Sequence, residues 1–250
     1  MMVCKILPLL VLLLVLVFIA GTATAQNLPG LRLEFQGTED TEPMSVTIQI
    51  ILLITLLSLA PAILILLTSF TRIVIVLSLL RHALSLQQIP PNQVIIGLSL
   101  FLTFFIMSPV FDEINDVAIQ PYLQEEITQK EAFNRATVPL RGFMFQHIRE
   151  KDLALFLQVG DIPQPANQSE VPTRVVIPAF VISELRTAFE MGFMLFVPFL
   201  IIDMVVASVL MSMGMMMLPP IMVSLPFKIL LFVLVDGWHL LIQSIVLSYG

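Results

Sequence analysis

Three ionisable residues lie in otherwise apolar sequence near the carboxyl end of the chain: Asp203, Lys228 and Asp236. An unpaired charge in lipid costs about 2.5 to 3.5 kcal/mol on insertion scales, so such residues usually face a bundle interior or a water-filled path. Ion pairing and proton relay are the chemistry that these side chains could perform. We therefore treat all three as functional candidates.

The spacing of Asp203 and Lys228 decides whether they can pair within one helical hairpin. If the chain turned sharply at Pro219 and Pro220, Lys228 would miss Asp203 by roughly 12 Å at 1.5 Å per residue. If residues 211–221 instead form an open loop, the two charges lie eight and seven residues from its ends and can meet. An intrachain pair therefore requires an open loop, so the two are one hypothesis. Pairing of Lys228 with an acid on a neighbouring subunit is the alternative.

The segment between those charges, MSMGMMMLPP at 211–220, has methionine at five of its first seven positions. Only Ser212 in it has a polar side chain, although a loop at a membrane surface is normally polar. Methionine is unbranched, flexible and polarizable, so it fills irregular gaps and repacks around changing partners. We expect the loop to be protected from bulk water, either as a deformable closure around a pore or as packing within one subunit.

Composition limits the classes of protein that these residues can serve. The chain is 58% hydrophobic and only 12% charged, which is typical of a membrane protein. A net charge of -6 with scattered basic residues argues against nucleic-acid binding. The single cysteine, Cys4, excludes an intrachain disulfide framework. His82, His147 and His239 lack metal-ligand spacing and no catalytic motif is found, so we predict no cofactor, no metal and no enzymatic activity.

Apolar and polar blocks alternate along the chain, which predicts an all-α membrane protein with two long kinked helical hairpins flanking a small helical periplasmic domain. Residues 1–25 have the features of a signal peptide, including the small-residue ending ATA, and an uncleaved first span is the alternative. The remaining predicted segments are a periplasmic lead at 26–44, a first apolar hairpin at 45–111, the periplasmic domain at 112–186 and a second apolar hairpin at 187–250.

The connection within the first hairpin carries Arg72, Arg81 and His82 but no acid. By the positive-inside rule this predicts a cytoplasmic turn, which agrees with a periplasmic amino terminus for the mature chain. The sequence QQIPPNQ, at 87–93, supplies a helix break, and Pro61 predicts a kink or a discontinuous helix.

Five stretches of this sequence together resemble a known family, the P subunits of the bacterial flagellar export gate. The stretches cover essentially the whole mature chain: SFTRIVIVLSLLRHAL at 69–84, FLTFFIMSPVFDEI at 101–114, PLRGFMF at 139–145, PAFVISELRTAFEMGFMLFVPFLIIDMVVASVLMSMGMMMLPP at 178–220 and LPFKILLFVLVDGWHLL at 225–241.

The resemblance implies a subunit of the type III secretion export apparatus, in the bacterial inner membrane at the flagellar basal body. Several copies would assemble with the related Q and R subunits, beside other export apparatus proteins and membrane lipid, into a helical channel for unfolded flagellar proteins. The family's channel core lies largely outside the plane of the bilayer, so the depth of the helices stays open.

The resemblance also implies roles for particular residues. It places a gasket at the channel constriction on Met215, Met216 and Met217, with Met211 and Met213 close by. It places functionally sensitive charges at Asp203 and Lys228, and subunit contacts at Phe143, Phe156 and Glu184.

Two other functions compete with this reading. A related subunit serves virulence secretion systems, although the signal peptide and the external lead resemble the flagellar branch more closely. An oligomeric proton-coupled transporter could use Asp203, Lys228 and Asp236 as a relay. The sequence offers only four candidate spans and no inverted repeat for such a transporter.

Overall fold

The computed structural model describes residues 43–215 and 217–250, and this part of the chain contains helices and no strand. The prediction of an all-α membrane protein is confirmed. The predicted signal peptide and the lead up to residue 42 lie outside the described residues, as does Met216. The helices are α1 (Pro43–Leu66), α2 (Phe70–Ala83), α3 (Asn92–Ile114), α4 (Gln120–Leu123), α5 (Gln129–His147), α6 (Glu150–Val159), α7 (Thr173–Ser212), α8 (Pro220–Leu234) and α9 (Gly237–Leu247).

Residues 54–250 form one compact unit, which contains the core and every site described below. Within the described residues, Asn92–Leu123 and Thr173–Ser212 are each long and apolar enough to cross a membrane. Helices α8 and α9 would give a third span if this pair, bent by 65°, crosses as one.

Helix α7 is the longest element, with 40 residues. At 1.5 Å per residue it is about 60 Å long, roughly twice the thickness of the hydrocarbon core of a bilayer. Its first residues belong to the predicted periplasmic domain and its last residues to the second hairpin. The boundary expected at 186/187 therefore lies inside a continuous helix. The boundary expected at 111/112 likewise lies inside α3, which continues through a π-helical turn at Asn115–Ile119.

Helix α2 corrects the prediction of a turn between the first two apolar stretches. Its apolar residues recur at helical spacing and are buried in the main core. The core residues contributed by α2 are Ile73, Val76, Leu77, Leu80 and Ala83. The two arginines suggested a solvated turn, but Arg72 lies on the buried side of α2 and is only 3% exposed. The predicted helix break follows α2, between residues 84 and 91.

A second core cluster joins the predicted periplasmic domain to α3 and α7. Phe143 and Met144 of α5 and Leu157 of α6 pack with Met107 of α3 and Phe180 of α7. The polar segment therefore shares its core with the long apolar helices, which a segment of its size needs because small chains bury too little apolar surface alone.

A buried ion pair lies between the two core clusters. Arg72 on α2 forms a bidentate salt bridge with Glu184 on α7, in which Arg72 Nε lies 3.0 Å from Glu184 Oε2. Arg72 Nη1 also donates to Ser248 O at 2.9 Å, and Tyr249 Oη donates to Glu184 Oε2 at 2.6 Å. Together these contacts tie the start of α2 to the first third of α7 and to the end of the chain.

Tyr249 is held in its neutral form by this environment. Burial raises the pKa of the Tyr249 phenol above its ordinary value, and the Glu184 carboxylate raises it further while Arg72 opposes the shift. The phenol therefore stays a hydrogen-bond donor to Glu184 across the physiological pH range.

Gly192 on α7 packs directly against Leu79 on α2. A Cβ atom added there would lie 2.2 Å from Leu79 Cδ1, whereas one added at Gly97 on α3 would meet nothing within 4 Å. Alanine normally stabilises a helix interior by about 1 kcal/mol relative to glycine. At Gly192 overpacking, which typically costs about 1–3 kcal/mol, offsets that gain.

We predict that Gly192→Ala lowers the thermal midpoint of the detergent-purified chain relative to Gly97→Ala, measured by loss of helical circular dichroism. Gly97→Ala is the matched control, since it makes the same chemical change in another long apolar helix. Equal shifts of the two midpoints would show that the α2–α7 contact does not need a glycine.

Candidate functional site: the methionine loop and the charges behind it

The loop between α7 and α8, residues 213–219, is here called the Met loop. Helix α7 ends where Gly214 takes the left-handed backbone conformation, at φ +70°. The amide of Gly214 then donates to Met211 O at 3.1 Å, and that of Met215 to Leu210 O at 3.0 Å. This is the Schellman arrangement, which satisfies carbonyl groups at a helix end. The glycine therefore ends α7 before the prolines are reached.

The two arms of the hairpin bring Asp203 on α7 and Lys228 on α8 together. Helix α8 begins at Pro220, a first-turn position where a proline loses no intrahelical hydrogen bond. Lys228 Nζ lies 2.6 Å from Asp203 Oδ2. The structure thus contains the open loop together with the intrachain pair, as the first alternative from the sequence proposed.

Lys228 uses all three of its N–H donors. Besides Asp203, Nζ donates to Ala83 O at 3.1 Å and to Ser85 Oγ at 2.7 Å. Ala83 is the last residue of α2, so its carbonyl has no partner within that helix and lies at the negative end of the helix dipole. Ser85 adopts the left-handed conformation, φ +60°, just beyond this helix end. Lys228 therefore links three separate parts of the chain: α8, α7 and the end of α2.

The two members of the pair are buried to different extents. The side chain of Lys228 is 2% exposed and that of Asp203 is 30% exposed. Asp203 Oδ1 accepts a hydrogen bond from Ser224 Oγ at 2.5 Å. The ammonium group of Lys228 is thus buried, whereas the carboxylate of Asp203 is partly accessible to solvent.

Asp236 lies apart from this pair. It occupies the bend between α8 and α9 in the left-handed conformation, is exposed, and forms no ion pair with any described residue. The next residue, Gly237, packs so closely that an added Cβ would lie 2.3 Å from the Phe232 ring. The structure therefore brings two of the three predicted charges together and leaves the third at a tight bend.

The methionines of the candidate gate are exposed on the single chain. Met217 is 98% exposed, and the other described methionines of the group are between 44% and 64% exposed: Met211, Met213 and Met215. A cluster of exposed apolar side chains of this kind usually marks an interaction site. The loop therefore has apolar surface that packing within this chain does not use.

The three residues implied as subunit contacts lie in different environments. Glu184 is fully buried in its pair with Arg72, and Phe143 is 6% exposed and stacks on Tyr249 with ring centroids 6.0 Å apart. Phe156 on α6 is half-buried. Within one chain Glu184 and Phe143 hold the core together, so contacts of these residues with another copy stay a prediction.

Sequence reasoning missed the partner of Glu184 and the two serines that complete the charge pair. The sequence predicts a cytoplasmic turn at Arg72, although its apolar neighbours Ile73 and Val76 lie at helical spacing and indicate a buried face. Ser85 and Ser224 carry no distinguishing pattern, because their role depends on how distant segments pack.

Comparison with known proteins gives consistent matches over most of the chain. Residues 53–245 match the model of the FliP family. The flagellar biosynthetic protein FliP of Bacillus subtilis (strain 168) is 58% identical over 213 residues, covering 85% of this chain and 96% of that protein. That of Aquifex aeolicus (strain VF5) is 56% identical over 205 residues, 81% of this chain and 86% of the relative. That of Pectobacterium carotovorum subsp. carotovorum is 51% identical over 234 residues, which cover 94% of this chain and 90% of the relative. The chain belongs to the FliP family.

Proposed function

We propose that this chain is a core channel subunit of the flagellar type III protein export gate and conducts unfolded flagellar proteins across the bacterial inner membrane. Its relatives carry the name flagellar biosynthetic protein, and its long apolar helices suit a membrane assembly. Further copies of the chain, the Q and R subunits and other export apparatus proteins would complete the channel. The chain itself would perform no enzymatic reaction.

The exposed Met loop is the observation that carries this proposal. A closed channel for unfolded protein must block small solutes and still open for substrates of many shapes. Thioether side chains suit both tasks because they are apolar and adapt to changing surfaces. Met loops from several copies would meet at the constriction, where the exposed Met217 and its neighbours pack against one another.

The charge pair would hold the Met loop at a fixed place. Asp203 lies nine residues before Ser212, where α7 ends, and Lys228 lies eight residues after Pro220, where α8 begins. Their link to the end of α2 fixes the base of the hairpin, while the loop itself stays free to deform. A rigid base with an adaptable tip suits a gate that opens repeatedly.

The transporter alternative would need a relay through three charges. Asp236 stands apart from the pair, and Lys228 is already bonded to three acceptors. This arrangement suits a structural pair better than a proton path. The names of the relatives favour the flagellar branch over a virulence system.

We predict that replacing Met215, Met216 and Met217 together with alanine leaves assembly intact but makes the membrane leak small molecules. The reason is that three flexible thioethers are lost from the constriction. Leakage is measured as uptake of a small impermeant dye by cells that assemble the variant complex.

The matched control replaces Met194, Met204 and Met222 with alanine, which removes three exposed methionines from helices outside the Met loop. A tight membrane in the loop variant, or equal leakage in the control, would contradict a seal at the Met loop.

We predict that Asp203→Asn and Lys228→Met each reduce secretion of flagellar proteins more than the double variant does. Breaking a buried pair leaves an uncompensated charge and costs about 3–5 kcal/mol, whereas removing both charges is often nearly neutral. A charge swap is expected to rescue poorly, because a carboxylate at position 228 would face Ala83 O.

Glu131→Gln is the control, since it breaks an ion pair with Arg135 whose side chains are 49% and 45% exposed. Exposed pairs contribute about 0–1 kcal/mol, so this variant should secrete normally. A double variant more defective than either single variant would mean that the losses add and that the charges act separately rather than as a pair.

A further inference from the structure

Arg81, in the last turn of α2, is a half-buried cation without an acidic partner among the described residues. Its Nη1 donates to Asn92 Oδ1 at 2.6 Å and to Pro90 O at 3.3 Å, both neutral groups. Its Nε is buried and has no hydrogen-bond partner. A buried donor without a partner is costly, and an arginine is a strong donor to phosphate and carboxylate groups.

An apolar cavity of about 250 Å³ opens beside Arg81. Leucines of α2 and the first turns of α3 form its walls, and its lining includes Leu77, Leu80, Leu84, Val94 and Leu98. Trp238, which is 45% exposed, also lines it and donates its indole N–H to no described residue. Tryptophan is enriched where a membrane meets water, because its ring is apolar and its N–H is polar.

A second cavity, of about 380 Å³, also borders Arg81 and is polar. It is lined by side-chain amides at the start of α3 and in the preceding turn: Gln87, Gln88, Asn92 and Gln93. No carboxylate lines it, so nothing there repels an anion. Arg81 therefore stands between a space for a hydrocarbon chain and a space for a hydrated polar group.

We propose that Arg81 binds the phosphate of an anionic phospholipid, with part of one acyl chain in the apolar cavity and the headgroup among the amides. Basic pockets between membrane helices bind such headgroups in other proteins. A free phosphate would use the arginine but leave the apolar cavity unfilled. A carboxylate from a partner protein would leave it unfilled in the same way.

Six other arginines are described: Arg135, Arg149 and Arg186 each lie beside a glutamate, and the remaining three do not offer this combination either. Arg72 is fully engaged by Glu184 and Ser248. Arg141 donates to Thr173 Oγ1 and to two backbone carbonyls, those of Gln168 and Val171. Arg174 is exposed and lines neither cavity. The inference depends on membrane location alone and is independent of the proposed role in export.

The test measures lipid retention by native mass spectrometry of the detergent-purified, assembled complex. The complex is exposed to phosphatidylglycerol or to phosphatidylcholine with identical acyl chains. We expect about tenfold greater retention of phosphatidylglycerol: both lipids carry the phosphate, but the choline ammonium of phosphatidylcholine cancels its net charge and is repelled by Arg81. Inorganic phosphate at the same concentration should not displace it.

Three variants separate the parts of the site. Arg81→Gln should abolish the preference for phosphatidylglycerol, while Arg174→Gln, which removes the same charge from an exposed position, should keep it. Leu98→Phe narrows the apolar cavity without touching the polar contacts of Arg81, so it should weaken retention even if Arg81→Gln disturbs the turn after α2.

Several results would overturn the proposal. Equal retention of the two lipids by the wild-type complex would mean that Arg81 does not select an anionic lipid, either because it takes no part in binding or because a partner's carboxylate already neutralises it. If Arg81→Gln and Leu98→Phe both keep the wild-type preference for phosphatidylglycerol, the lipid binds elsewhere on the protein. Displacement by inorganic phosphate would make free phosphate the ligand.

Discussion

The hydrogen bonds of Lys228 are the interaction on which the second hairpin depends. An ammonium group that is 2% exposed in an apolar bundle requires a counter-charge and an acceptor for every donor. Asp203, Ala83 and Ser85 supply these from three separate segments. Their meeting fixes how α7, α8 and the end of α2 pack, and it sets where the hairpin must open into a loop.

A second buried pair applies the same constraint farther along α7. Arg72 and Glu184 are both less than 4% exposed; Arg72 also donates to Ser248 O, and Glu184 also accepts from Tyr249 Oη. The two pairs fix α2 against α7 near opposite ends of α2, while Gly192 permits the close contact between the helices. Buried charge thus specifies register here, where apolar packing alone would allow the helices to slide.

The sequence predicted the all-α class and the helix break after α2, and it offered the open loop with an intrachain charge pair as one of two alternatives. Those features rest on local signals: the apolar runs, the prolines at 90 and 91, and the arm lengths counted from a loop at 211–221. It missed the helical nature of α2, because arginines in a short connection suggested solvent rather than a buried partner 112 residues away. The boundaries expected at 111/112 and 186/187, where polarity changes, fall inside helices for a similar reason, since a helix such as α7 can continue from a polar region into an apolar one.

We propose that the Met loop closes a pore by contact between copies of the chain. A Met217→Cys variant tests it directly, because position 217 is almost fully exposed in one chain. In the closed, assembled complex we predict that oxidation cross-links neighbouring chains through this position. A Met204→Cys variant, on the exposed face of α7 away from the loop, should cross-link far less. The proposal would be contradicted if the Met217→Cys chains of the assembled complex stay monomeric on oxidation and their thiols react freely with a water-soluble reagent.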